Sequence, residues 1–195
     1  MNPDSGIGET SSGATVPPWG AVATLAGVAM FVVTVVALHF LQPEYDPANQ
    51  LMSELALGPH GWAMFLAFGG LAVAVFGIQA AIGAAGASRG FRVLLVVAAL
   101  FFLAAGVFPL GPTSEIHIAA IASAFVLSVL AMYLFPASAG SAAVAAPRAI
   151  SWSLAAGVAV SVALGHSVLP MGIGQRLAAA CLLVWLTVLG WRLRR

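Results

Sequence analysis

WGAVATLAGVAMFVVTVVALHFL, residues 19–41, is the stretch that decides the fold. It contains no acid, lysine or arginine, and its 23 residues match the ~20 needed to cross a bilayer as a helix. The run is too long for the core of a typical signal peptide and no cationic region precedes it, so it reads as a retained membrane helix. Five more runs of this kind follow, at about 61–84, 91–109, 115–136, 150–169 and 173–191. Gly58-Pro59, Gly111-Pro112, Pro136, Pro147 and Pro170 punctuate them.

Composition agrees with that reading. Of 195 residues, 62% are hydrophobic and 7% charged, against about 25% charged in soluble domains. So few charges cannot cover the surface of a water-soluble fold, and the surplus apolar surface requires lipid. In lipid every backbone polar group must be satisfied internally, which leaves helices or a closed barrel. A barrel would show short alternating segments, and the runs here are continuous. The expected fold is therefore all-α: a polytopic bundle of six transmembrane helices. Residues 1–18, rich in Gly, Ser, Thr and Pro, read as a flexible cytoplasmic tail, and residues 19–195 as a single transmembrane domain.

Lysine is absent, and the seven cations are arginines. In a six-span chain Arg89, Arg92, Arg148, Arg192, Arg194 and Arg195 share one side, with Arg176 alone on the other. The positive-inside rule then puts both termini in the cytoplasm and the protein in the inner membrane. No basic stripe suits nucleic acid. Cys181, the single cysteine, lies in an apolar run and reads as a buried thiol. Small residues recur on helix five at Ser153, Gly157, Ser161 and Gly165, and on helix two at Gly69 and Gly77 with Gly70 beside them. Both patterns read as close helix packing. The tryptophans, Trp185 included, and Tyr45 and Tyr133 read as interfacial anchors.

The longest outer connection is QPEYDPANQLMSELALGPH, residues 42–60. Asp46-Pro47 is a good helix start. Ala48, Leu51, Met52 and Leu55 then repeat at helical spacing, with Asn49, Gln50, Ser53 and Glu54 on the opposite arc. A short amphipathic helix is expected here, at the outer interface or folded over the bundle.

All four histidines, His39, His60, His117 and His166, fall at outer helix ends in this arrangement. Glu44, Asp46, Glu54 and Glu115 share that face, and Arg176 opens helix six. A cation at a helix N-terminus is disfavoured by the dipole, so Arg176 is expected to have a carboxylate partner, Glu115 or Glu54 first. His117 falls in the first turn of helix four, where the dipole favours a neutral imidazole able to accept a proton or bind a metal. Histidines plus a carboxylate could hold zinc, with an open position for hydrolysis. Against that, no HExxH or HxxxH pair is present. No charged residue sits near the middle of a span, which weighs against an ion-coupled carrier. Gln79 and Thr34 are the most polar groups at depth.

Two short signatures resemble a bacterial and archaeal membrane family catalogued as domain of unknown function nine-nine-eight. One is His39-Phe40-Leu41-Gln42-Pro43-Glu44-Tyr45-Asp46-Pro47 followed by Met52-Ser53-Glu54-Leu55; the other is Gly106-Val107-Phe108-Pro109 followed by His117. The resemblance covers about 19–191 and implies a six-helix bundle without an assigned activity. Where that family commonly has Thr-Asp-Pro, this chain has Leu110-Gly111-Pro112. If the missing aspartate carried chemistry, Glu115 would have to replace it or the activity would be absent.

The functional expectation is an outward-facing pocket of His39, Asp46, Glu54, His117, His166 and Arg176. It would bind a lipid-like or small ligand, or a membrane-protein partner or second copy, with membrane lipids around it and no cofactor. The alternative is a zinc-dependent membrane hydrolase with His39, His117 and His166 as metal ligands and His117, Glu115, Glu54 and Ser53 as candidate catalytic groups. A third reading is an accessory subunit docked through its small-residue stripe.

Overall fold

A computed structural model describes residues 18–165 and 167–194. The tail expected at the N-terminus, apart from Pro18, and His166 lie outside the described residues. Six helices are long and apolar enough to cross a membrane: α1 (Pro18–Leu41), α2 (Met64–Ala84), α3 (Arg89–Val107), α4 (Ser114–Ser138), α5 (Arg148–Gly165) and α6 (Met171–Leu193). Each packs on the next in chain order, and α6 closes the ring against α1 and touches α2. The helix count is as expected, and most ends move by two or three residues. Pro136 lies inside α4 rather than ending it. So close to the C-terminal end, its ring displaces little of the ladder.

α1 and α2 meet backbone to backbone. A Cβ on Gly20 would sit 2.7 Å from the Gly77 carbonyl oxygen, and one on Gly70 would sit 2.6 Å from that of Gly27. Between these points Thr24 Oγ1 donates to the Ala74 carbonyl at 3.0 Å. Gly70 and Gly77 therefore form the packing face, seven residues apart, and Gly69 has open space beside it. On α5 the stripe packs against α6: a Cβ on Gly157 would meet Cys181 Sγ at 2.7 Å, and Gly165 faces Gly174. Ser153, the first member, is exposed. Small residues at these places allow the close approach that drives helix association in lipid.

Trp185 departs from its expected anchoring role. It is fully buried, its indole N–H donates to Ser151 Oγ at 3.1 Å, and Phe135 packs edge-on against it. Position near a span end favours an anchor, but α6 turns this residue inward, where Ser151 supplies the hydrogen-bond partner that a buried indole needs.

The 42–60 connection and the residues after it form 3₁₀ turns at Met52–Leu57 and Gly61–Ala63. The expected helix start at Asp46 makes one turn, closed by Gln50 N–H to the Asp46 carbonyl at 2.9 Å, and stops. The next rungs are claimed by α6. The Ala48 carbonyl accepts from Ile173 N–H at 3.1 Å, and Met52 N–H donates to Gln175 Oε1 at 2.6 Å. With both partners of the 52-to-48 bond engaged elsewhere, an α-helix cannot continue. In exchange the loop is strapped across the N-terminus of α6.

Candidate functional site

Arg176 organises one half of the bundle end that carries the 42–60 connection. Its Nη1 donates to the carbonyls of Gln50 (3.1 Å) and Gly172 (3.0 Å), and its Nη2 donates to Tyr45 Oη and to His39 Nε2 (3.1 Å). The carboxylate partner expected for it is replaced by these neutral acceptors. Glu54 is occupied elsewhere, accepting from Leu51 N–H and the Gln50 amide, and Glu115 is exposed on α4. Arg176 thereby joins α1, the 42–60 loop and α6 in one network.

That network fixes the state of His39. Its Nδ1 lies 2.6 Å from the Val35 carbonyl, which can only accept, so Nδ1 carries the proton. Nε2 then offers its lone pair to Arg176, leaving no lone pair for a metal. Tyr45 Oη passes the chain on, donating to the Leu51 carbonyl at 2.9 Å. Burial pushes the Tyr45 hydroxyl above its ordinary pKa, and Arg176 draws it partly back.

His117 occupies a different place. It is buried, and its Nδ1 donates to the Ala105 and Phe108 carbonyls at 2.8 and 3.0 Å. These carbonyls belong to the C-terminal end of α3, where the last turn lacks intrahelical donors, so the imidazole caps that helix. Phe68 packs edge-on against the ring. Its Nε2 is the only buried side-chain nitrogen or oxygen among the described residues with no hydrogen-bond partner.

The His117 ring borders a cavity of about 480 Å³ between α4 and α5, floored by α6. Ser53 and Gln175 join it at the end nearest the 42–60 connection, and Ile121, Phe125, Val126, Val129 and Val158 line the rest. Among the described residues no charged one lines it. The groove opens sideways, with Val126 66% and Ile118 56% exposed. Ser53, read from the sequence as part of a solvated arc, is 2% exposed instead. The strap on α6 rotates the turn so that Ser53 faces inward with Met52 and Leu55. Gln175 spends its oxygen on Met52 N–H, so its amide N–H groups are what remain for a ligand.

The expected pocket residues thus divide. His39 and Arg176 join Tyr45 and the Gln50 carbonyl in a polar network; His117 borders the groove beside Ser53, and Glu54 stays on the loop, bonded to Leu51 N–H and the Gln50 amide. Asp46 lies on the exposed loop, and His166 is outside the described residues. Among the described residues no three of His, Cys, Asp and Glu gather in a way that could hold a metal ion. Sequence reasoning missed Tyr45 and Gln175 as site residues. Tyr45 belonged to a quoted signature, but nothing local marked Gln175.

Asp46 accepts from Asn49 Nδ2 and from the backbone N–H of Ala48, and these bonds hold its carboxyl below the usual carboxylate range. A depressed folded pKa stabilises above the unfolded value and is lost as pH falls through the folded one. Acidification below about pH 4 is therefore expected to loosen the 46–50 turn. Amide exchange at Ala48 and Asn49 should rise relative to the intrinsic rate on acidification, and Asp46→Asn should flatten that dependence. An unchanged protection profile in acid would refute it.

A family model described as protein of unknown function (DUF998) matches residues 25–192. No curated protein and no solved structure matches the chain.

Proposed function

Since the chain belongs to the DUF998 family, whose description assigns no activity, we propose from the site alone that it binds an uncharged, lipid-like molecule in the groove between α4 and α5. The observation that carries this reading is the groove itself: about 480 Å³, apolar along its length, polar at the end beside Ser53 and Gln175, and without a charged lining residue among those described. Binding sites for small ligands span roughly 300–1,000 Å³ and combine apolar walls with a few convergent polar groups. An acyl or isoprenoid chain would enter sideways from the bilayer past Val126, with its polar end beside Ser53, Gln175 and His117. A formal charge there would meet no counter-charge among the described lining residues. The six-to-one arginine asymmetry supports an inner-membrane protein with this polar end facing outward.

Native mass spectrometry of gently solubilised protein tests the reading. The wild type should retain about one lipid-like adduct. Ala122→Trp, on the groove wall, should lose it while keeping its thermal midpoint. His117→Asn keeps an amide N–H where Nδ1 donates to α3 and removes Nε2; it should fold and retain less of the adduct. A wild type without adduct, or equal retention in Ala122→Trp, would sink the proposal.

A further inference from the structure

At the opposite, arginine-rich end lies a second site that the groove does not use. A pocket of about 400 Å³ between α2 and α3 is bordered by Gln79, Arg89 and Arg92. Gln79, 8% exposed, borders this pocket with its side chain. Gly83, one turn after Gln79, leaves room for the Arg92 side chain: a Cβ there would come within 3.2 Å of its guanidinium carbon. Arg89 and Arg92 are exposed and have no ion-pair partner among the described residues. Glu44, Asp46, Glu54 and Glu115, the carboxylates within the described residues, all belong to the other end of the bundle. Two cations and an amide thus border one pocket with no counter-charge among the described residues.

We propose that this pocket binds the headgroup of an anionic phospholipid from the arginine-rich leaflet. Guanidinium groups suit phosphate through paired, charge-assisted hydrogen bonds, and basic pockets between helices at this level recruit acidic lipids. Depth selects a phospholipid over free phosphate. Gln79 lies five residues inside the end of α2 at Ala84, which places its amide roughly 8 Å deeper in the bilayer at a helical rise of about 1.5 Å per residue. In a phospholipid the ester carbonyls sit below the phosphate. Arg89 and Arg92 hold the phosphate, and the Gln79 amide donates to an ester carbonyl beneath it. Free phosphate would leave that amide unused.

The test measures the thermal midpoint of the full chain in neutral detergent with phosphatidylglycerol, phosphatidylcholine or inorganic phosphate added. Phosphatidylglycerol should stabilise, phosphatidylcholine should not, and phosphate should do no more than sodium chloride at matched ionic strength. Each of Arg89→Gln and Arg92→Gln should weaken the phosphatidylglycerol response about fivefold in concentration. Gln79→Leu should weaken it too, judged by the lipid-induced shift rather than the absolute midpoint. Equal responses to the two lipids would overturn the proposal, as would a phosphate response matching that of phosphatidylglycerol. A Gln79→Leu response equal to wild type would reduce the arginines to general surface charge and also overturn it. If phosphatidylglycerol acts only after Asp4→Asn and Glu9→Gln, the chain's own N-terminal segment supplies the counter-charge and the lipid assignment fails.

Discussion

Gly27→Leu is expected to keep α1 from docking on α2. A Cβ at this position would run into the Gly70 carbonyl oxygen and come within 2.7 Å of Ala74 N. Both are backbone atoms, so no rotamer change relieves the clash and the helices must separate. Separation would break the Thr24 bond to the Ala74 carbonyl and open the second contact at Gly20 and Gly77. Overpacking typically costs about 1–3 kcal/mol and occasionally more; with a rigid backbone obstacle the upper end is expected. The measurement is monodispersity and thermal midpoint in detergent. Gly69→Leu serves as control, because its Cβ meets nothing within 4 Å. If Gly27→Leu behaves like Gly69→Leu, the close crossing is wrong.

Arg176→Met should have the next largest effect. The guanidinium bonds four acceptors drawn from α1, the outer loop and α6. Removing it leaves His39 Nε2 without its donor and the Gln50 carbonyl with only the Tyr45 hydroxyl. Hydrogen bonds to charged groups contribute about 1.5–3 kcal/mol each, with partial exposure and shared geometry lowering the sum, so a loss of about 3 kcal/mol is expected. Arg176→Lys should not restore it, since an ammonium cannot reach both sides of the network as a planar fork does. Tyr45→Phe alone should cost less, and the double variant with Arg176→Met should be less destabilised than the sum of the singles. Strict additivity would mean that Arg176 and Tyr45 act independently.

Parts of the site were legible beforehand. The placement of His39, His117 and Arg176 at one end followed from helix counting alone. Their roles did not. His117 was expected in the first turn of α4, but the carbonyls it caps belong to α3. Arg176 was expected to need a partner because of the α6 dipole, and acids were the natural guess. The actual acceptors are a tyrosine and the Gln50 carbonyl brought over by the loop, a histidine from α1, and the Gly172 carbonyl of α6 itself. Ser53 shows the same gap: helical periodicity placed it toward solvent, and the bonds from α6 to Ala48 and Met52 turned it inward.

The sequence by itself determined the solvent, the number of crossings and the alternation of ends. These depend on transfer free energy summed over about twenty residues at a time, which needs no knowledge of neighbours. Only the tertiary structure decided which glycines meet, which histidine nitrogen stays unpaired, and that α4 and α5 part to leave a groove. Those outcomes depend on contacts between residues as far apart as His39 and Arg176, and a linear pattern of hydrophobicity carries no record of which faces of two helices meet.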